Sequence, residues 1–244
     1  MTSTGSFDSF STEELEAAQD EYEKNAPHYT RTLNEFRTHV RPTFCLDDDF
    51  PQLDLDVPER CPELIHWLNQ WGNHIAKSTP ADYELAATGF HAWWLRWHKA
   101  LPPSSIRLSG VEELEEWSKH LDARLGRPEE ESIVDSFNSL CGFPVDDRDG
   151  SSRAFKAVAT SMILYVLRPH VFLPWNNLIM NAMGYDGSGT SYIQYVQQAC
   201  RSLVRAEQER GGQQTSLATL QGRYRCTALE LVNKLFWIRG QEQK

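Results

Sequence analysis

Residues 149–177 read DGSSRAFKAVATSMILYVLRPHVFLPWNN, and this stretch decides the fold. A Gly/Ser segment is followed by an apolar run of helical length, which ends before Pro169 because proline cannot continue a helix. The polar pair Asn176-Asn177 after the second proline is typical of a helix start. The stretch therefore predicts one helix over about 152–167, a short link, and a second helix that begins near residue 177.

The same helical period continues on both sides of this stretch. Ser11 and Glu14 have the spacing of a capping box ahead of a helix that ends near residue 25. Apolar residues recur three and four positions apart, and no segment alternates as a strand would, so the sequence predicts an all-α fold. Further helices are predicted to start at Pro62, Pro80, about Ser109 and Pro128, and to cover about 190–209, 215–223 and 226–237.

The composition is that of a folded chain with one or two domains. The 244 residues are 40% hydrophobic and include 8 Trp, 8 Tyr and 11 Phe, which excludes a disordered chain. No apolar stretch is long enough to predict a membrane span, and residues 1–10 lack the features of a signal peptide. Five cysteines without a C-x-x-C pair predict reduced thiols in a cytoplasmic protein that has no metal site.

Charge divides the chain into two parts. The net charge is -10, from 24 Lys and Arg against 34 Asp and Glu. Residues 1–145 hold 12 basic and 26 acidic residues (-14), and residues 146–244 hold 12 and 8 (+4). We therefore predict a flexible segment over 1–10, an acidic helical lobe over 11–145, and a basic helical lobe over 146–244 that faces a polyanion. Alternatively, the cations are ordinary exposed charges, and the lobes pack as one domain.

The start of the basic lobe has the residue types of a phosphate-binding site. Gly150, Ser151 and Ser152 precede the predicted helix, where backbone N–H groups and the helix dipole attract anions. Arg153 and Lys156 would add positive charge beside these donors. The alternative is a serine N-cap followed by two exposed cations.

The link and its flanking helices match a family pattern. The run L-x-x-L-x-P-x-x-F-x-x-W over 164–175, followed by Asn176, resembles a group of bacterial proteins that have Asp at the last position. An L-x-x-K-L run over 231–235 followed by Trp237 is also similar in that group. More widely, residues 110–240 resemble the helix-hairpin-helix DNA glycosylases. That resemblance implies a multi-helix glycosylase-like fold in which a hairpin over 150–156 holds a DNA phosphate and the residue at position 176 faces a flipped nucleotide.

The chain departs from this pattern at two places. The sequence FKAV over 155–158 replaces the G-x-G of the hairpin, Asn176 replaces the catalytic Asp, and no lysine has an obvious Schiff-base position. Cleavage of an N-glycosidic bond builds positive charge on the sugar, and an Asn amide oxygen can face that charge and orient a water. The asparagines could instead be helix N-caps. The candidate catalytic residues are Asn176, Asn177 and Asp186, with Asp149 as a further carboxylate.

Aromatic residues are the candidates for a pocket around the flipped base, because such a base is held between aromatic faces. Trp175, Tyr185 and Tyr192 are close to the predicted site in the sequence, and Trp94 belongs to a tryptophan-rich helix. The alternative for that helix is a place in the core, since its tryptophans recur at helical spacing.

These residues lead to three hypotheses. The first is a monofunctional DNA glycosylase that binds double-stranded DNA with a flipped base, uses no cofactor, and removes a damaged or modified base, as in defence against viral DNA. The second is a non-catalytic DNA-binding protein on the same scaffold, which the departures from the family pattern favour. The third is a helical protein-interaction module that uses the acidic N-terminal half.

Overall fold

A computed structural model shows that the described part of the chain is mainly helical, as the sequence predicts. It describes residues 7–28, 31–32, 55, 58–70, 80–103, 105–125, 132–146, 153–210 and 216–243. The helices in these ranges are α1 (Thr12–Asn25), α2 (Arg60–Leu68), α3 (Pro80–Trp97), α4 (Val111–Leu125), α5 (Ile133–Cys141), α6 (Lys156–Leu167), α7 (Asn177–Met183), α8 (Gly189–Glu209), α9 (Leu217–Tyr224) and α10 (Ala228–Glu242), and a 3-10 turn (His98–Ala100) follows α3.

Several of the helix starts, including those of α1 and α5, are determined by local capping residues. At α1 the predicted capping box is confirmed: Glu14 N–H donates to Ser11 Oγ at 3.2 Å, and Ser11 N–H donates to Glu14 Oε2 at 2.8 Å. α5 begins with a second box, formed by Ser132 and Asp135, which the sequence analysis missed. The start predicted at Pro128 lies outside the described residues. The bounds predicted for α7 to α10 are confirmed to within a few residues, apart from the later end of α10.

The predicted hairpin is the main difference between sequence and structure. Two short antiparallel strands, β1 (Pro144–Asp146) and β2 (Arg153–Ala154), occupy the described part of the connection between α5 and α6. Phe155 N–H donates to Phe143 O at 3.3 Å, and the buried Phe155 ring packs on Phe90. Arg153 and Ala154 are held in the strand β2, so α6 starts four residues later than predicted. The helix-hairpin-helix element is not confirmed.

One hydrophobic core extends through both parts of the chain. Every residue from Ala159 to Leu167 of α6 is buried within it. α1 packs against α10 and α4 packs against α8, which joins the predicted acidic lobe to the basic one. A Cβ at Gly189 would come within 2.6 Å of the Val134 carbonyl oxygen, so glycine allows the start of α8 to approach α5 closely. The described helices of the two predicted lobes therefore share one core.

The segment ahead of α1 belongs to this core. Phe7 and Phe10 are buried, and the Phe7 ring lies edge-on to Phe236 at a centroid distance of 5.3 Å. The Ser202 hydroxyl donates to the carbonyl oxygens of Phe7 and Asp8. The prediction of a flexible segment over 1–10 is therefore wrong for Phe7–Phe10, because these aromatic side chains are packed.

Candidate functional site

Several of the predicted site residues meet at one corner of the molecule, formed by the starts of α6, α7 and α8, which we call the α6–α8 corner. Trp175 Nε1–H donates to the Ala157 carbonyl oxygen at 3.0 Å, which joins the start of α6 to that of α7. Gly187 has a φ of +83°, and a Cβ there would lie 3.4 Å from Ala157 Cβ, so the turn before α8 also contacts α6. The chain neighbours of Lys156, Asn176 and Asp186 thus contact one another at this corner.

The other predicted site residues are only partly described by the structure. Gly150, Ser151 and Ser152 lie outside the described residues, as does Asp149. Arg153 is described only by its backbone, which belongs to β2. Lys156 is exposed and has a positive φ of 55° at the first position of α6. The predicted phosphate-binding arrangement therefore stays a prediction.

Asn176 is the N-cap of α7. Its side-chain Oδ1 accepts the Ile179 N–H at 3.0 Å, and its backbone is extended, as N-caps are. The amide oxygen that would orient a water for catalysis is therefore already engaged by the helix. Asn177 is the first residue of α7, and its side chain is exposed. The N-cap interpretation of Asn176, one of the two alternatives from the sequence, is the one that the geometry supports.

Asp186 performs a related structural task at the turn before α8. Its Oδ1 accepts hydrogen bonds from the Ser191 hydroxyl at 2.6 Å and from the Ser188 N–H at 2.9 Å. Hydrogen bonds from Ser191 and Ser188 lower the pKa of Asp186 to about 2. The carboxylate is therefore ionised at neutral pH and lies in full contact with solvent, where it cannot act as a general acid.

The predicted base-pocket aromatics do not form one open pocket. Trp175 and Tyr192 are 1% and 0% exposed, and their ring centroids are 5.2 Å apart in an edge-on contact. Tyr185 is partly buried and donates its hydroxyl hydrogen to Gln198 Oε1 at 2.9 Å. Trp94 is also buried and lies at the opposite end of α6, where the Arg168 guanidinium is 5.7 Å from its ring. The two fully packed rings and Trp94 thus belong to the core rather than to a shared pocket.

Three basic residues of the C-terminal part are paired with acidic residues of the N-terminal part. Arg201 contacts both carboxylate oxygens of Asp122, at 2.9 and 2.8 Å. Arg223 forms an ion pair with Glu16. Arg239 is buried and donates to Glu14 Oε1 at 2.8 Å and to the Ser9 carbonyl oxygen. These three cations therefore serve contacts between the two halves of the chain and do not favour a polyanion-facing side.

A groove that the sequence analysis missed lies between the connection from α3 to α4 and one face of α4. Its volume is about 690 Å³. Residues 99–103 and 106–108 form one wall, while Glu113, Glu116, Trp117 and His120 line it from α4 at positions three and four apart. Ile133, at the start of α5, completes the apolar floor. The lining residues come from three separate segments of the chain. The sequence therefore indicated this groove only through the spacing of its residues along α4.

The link between α6 and α7, which carries the family-like pattern, contacts both walls of this groove. Trp117 Nε1–H donates to the Val171 carbonyl oxygen at 3.2 Å. Arg168 Nε–H donates to the Pro102 carbonyl oxygen at 2.7 Å. Two residues of the link thus attach both groove walls to the core, and the groove is held open by packed structure.

The two walls of the groove carry opposite charges. The connection contributes Lys99 and Arg107, whereas α4 contributes Glu113 and Glu116 in its first two turns. Burial lowers the pKa of Arg107 from its ordinary value, and its Nη1 donates to the Ile106 carbonyl oxygen at 3.0 Å. The His120 imidazole is exposed and stacks on Trp117 at 5.1 Å. An apolar floor with charged groups at its edge is the usual composition of a small-molecule site.

The described residues contain no group of three or more His, Cys, Asp or Glu side chains placed to hold a metal ion. Cys61, Cys141, Cys200 and Cys226 are free thiols, and burial raises the pKa of Cys200 to about 12, so this thiol stays protonated at neutral pH. Cys45 lies outside the described residues. Within the described helices, none has the length and apolar character needed to cross a membrane.

Comparisons with protein-family models, with curated proteins and with solved structures found no match to this chain.

Proposed function

We propose that the protein is a binding module whose ligand occupies the groove between the α3–α4 connection and α4. The observation that carries this proposal is the groove itself: about 690 Å³, with an apolar floor and charged groups from two walls. Sites for small ligands typically have volumes of about 300–1,000 Å³ and this composition. The anchoring of both walls by Trp117 and Arg168 supports a pre-formed site, which loses little entropy when a ligand binds.

A screen of small aromatic acids, amines and amino acids tests the proposal. The chain would be labelled with 5-fluorotryptophan, so that each of its 8 Trp residues gives a fluorine resonance, and Trp117→Phe would assign the groove signal. We expect some compounds to shift the Trp117 resonance and to leave that of the buried Trp175 in place.

A variant that fills the groove is the matching control. Ala100 lines the groove, whereas Ala92 is exposed on α3 and does not line it. Ala100→Phe should abolish the ligand-dependent shift, and Ala92→Phe should retain it. If no compound shifts the Trp117 resonance in the unmodified protein, the groove is not a small-ligand site and the proposal fails.

A DNA glycosylase is the second candidate, and the observation that favours it is the set of contacts among the chain neighbours of Lys156, Asn176 and Asp186 at the α6–α8 corner. The ionised carboxylate of Asp186 could stabilise positive charge on a sugar, and Lys156 could contact a phosphate. Two features oppose it: Asn176 is engaged as an N-cap, and the aromatic rings beside it are packed.

Base release from modified DNA tests this candidate. DNA panels with uracil, alkylated, oxidised and hydroxymethylated bases would be incubated with the protein, and free base would be measured by mass spectrometry. The candidate requires release that Asp186→Asn abolishes and that Glu84→Gln, an exposed carboxylate on α3, leaves intact. Absence of release from every panel removes the glycosylase and leaves the groove as the remaining candidate site.

A further inference from the structure

We infer that the groove selects a small zwitterionic molecule with an aromatic body, of the size of a dipeptide or tripeptide. This inference rests on the proposed function, because it concerns the ligand of the same groove. Three observations carry it: the separation of charge between the walls, the aromatic stack at the floor, and the volume.

The separation of charge indicates that the ligand has two charges. Between residues 99 and 108 the only charged side chains are those of Lys99 and Arg107, and both line the groove. The carboxylates that line it, Glu113 and Glu116, both come from α4. A purely anionic ligand would be attracted by the connection and repelled by α4. A purely cationic ligand would be attracted by α4 and repelled by the connection. A ligand with one charge of each sign is attracted by both walls in a single orientation.

The floor indicates an aromatic body. Trp117 is almost fully buried, and the exposed His120 imidazole lies nearly parallel to it, with an angle of 18° between the ring planes. Leu101, Leu108 and Ile133 add apolar surface around this stack. A planar ring of the ligand placed against this aromatic surface would add to it, and aromatic contacts add to the free energy of burial alone.

The volume limits the ligand to a small molecule. A groove of about 690 Å³ holds an aromatic group together with the two ends of a short peptide, but it does not hold a folded partner. A single amino acid would leave most of this volume to water.

One peptide in three charge states tests the inference on the full chain. The probes are tryptophylglycine, its N-acetyl form, which keeps only the anion, and its C-terminal amide, which keeps only the cation. Each would be titrated into the fluorotryptophan-labelled protein and followed at the Trp117 resonance. We expect the zwitterion to bind about five- to tenfold more tightly than either blocked form, because each charge-assisted hydrogen bond is worth that ratio or more.

Charge variants identify the wall that recognises each end. Lys99→Gln combined with Arg107→Gln should remove the advantage of the zwitterion over the amide, and Glu116→Gln should remove its advantage over the N-acetyl form. Lys119→Gln and Glu112→Gln are the matched controls, since both side chains are exposed on α4 and neither lines the groove. Circular dichroism would verify that each variant is folded.

The outcomes separate this inference from the proposed function. If none of the three probes nor any compound of the screen shifts the Trp117 resonance, the proposed function fails, and the inference fails with it. If the three forms bind equally well, the groove is a binding site but the zwitterion inference is wrong. A preference for the zwitterion that persists in the charge variants would also overturn it, because the selectivity would then arise elsewhere.

Discussion

The α6–α8 corner and the groove contain similar kinds of polar residue but use them differently. In the corner, Asn176 accepts a hydrogen bond from the backbone of the helix that it caps, and Asp186 accepts one from the backbone of Ser188, the N-cap of α8. In the groove, Lys99 and Glu116 stand exposed at the edge of a concave apolar surface. Residue types that suit catalysis also suit helix capping, so the shape of the surroundings decides between the two roles.

The largest effect that distinguishes the two regions is expected at Trp175. Trp175→Ala should lower the free energy of unfolding by about 3–5 kcal/mol, because it leaves a cavity in the core. Urea denaturation followed by circular dichroism measures this loss. Glu116→Gln in the groove should change stability by less than about 0.5 kcal/mol. A loss at Trp175 as small as that of Glu116→Gln would show that the Trp175 ring is not a core residue.

The next largest effect on stability is expected at the ion pairs between the N-terminal and C-terminal halves of the chain. Arg239 is buried and bonds to Glu14 and to the Ser9 carbonyl oxygen, whereas both members of the Arg201–Asp122 pair are about half exposed. Arg239→Met should therefore cost about 1–3 kcal/mol of stability, and Arg201→Met less than about 1 kcal/mol. The same denaturation experiment compares them. Equal losses of stability in the two variants would mean that burial does not determine how much each ion pair stabilises the fold.

A smaller effect is expected at Asn176. Asn176→Ala should cost about 1 kcal/mol, since it removes the N-cap of α7, while Asn176→Asp should retain most of the stability because Asp is an equally good cap. Thermal unfolding measures both variants. If Asn176→Ala left stability unchanged and also abolished base release, the residue would be catalytic and the corner would be the functional site.

The smallest effect concerns the pH dependence at Asp186. Its pKa of about 2 in the folded protein is below the ordinary value of 3.8, so the unfolded chain binds the proton more readily. This contribution to stability is present above about pH 4 and is lost as the pH falls towards 2. In Asp186→Asn, the unfolding midpoint should fall less steeply between pH 4 and pH 2 than in the unmodified protein. Parallel curves for the two proteins would exclude this role.

Local signals made most of the fold predictable. The capping pair Ser11 and Glu14, and the residues Pro169 and Asn176, set helix ends through neighbours in the sequence, and the structure places the ends of α1, α6 and α7 accordingly. The strand β2 was not predictable, because the contact of Phe155 with Phe143 and Phe90 depends on residues far apart in the chain.

The candidate sites were less predictable for the same reason. The resemblance to glycosylases selected residues at the starts of α6, α7 and α8, but it gave no information about the burial of Trp175 or Tyr192. The groove joins residues from 99 to 133, and its walls are attached to Val171 and Arg168 by hydrogen bonds. Neither charge counts nor helical spacing can show such a concave surface.

The contact between α1 and α10 has a consequence for how the chain folds. The Gln19 amide donates to the Leu231 carbonyl oxygen, a contact between residues 212 positions apart. Closing so long a loop carries an entropy cost that must be met before the contact stabilises anything, and contacts of this separation slow folding. During synthesis on the ribosome, α1 therefore cannot form this contact until α10 has emerged. Until then, the apolar residues of α1 are accessible to chaperones.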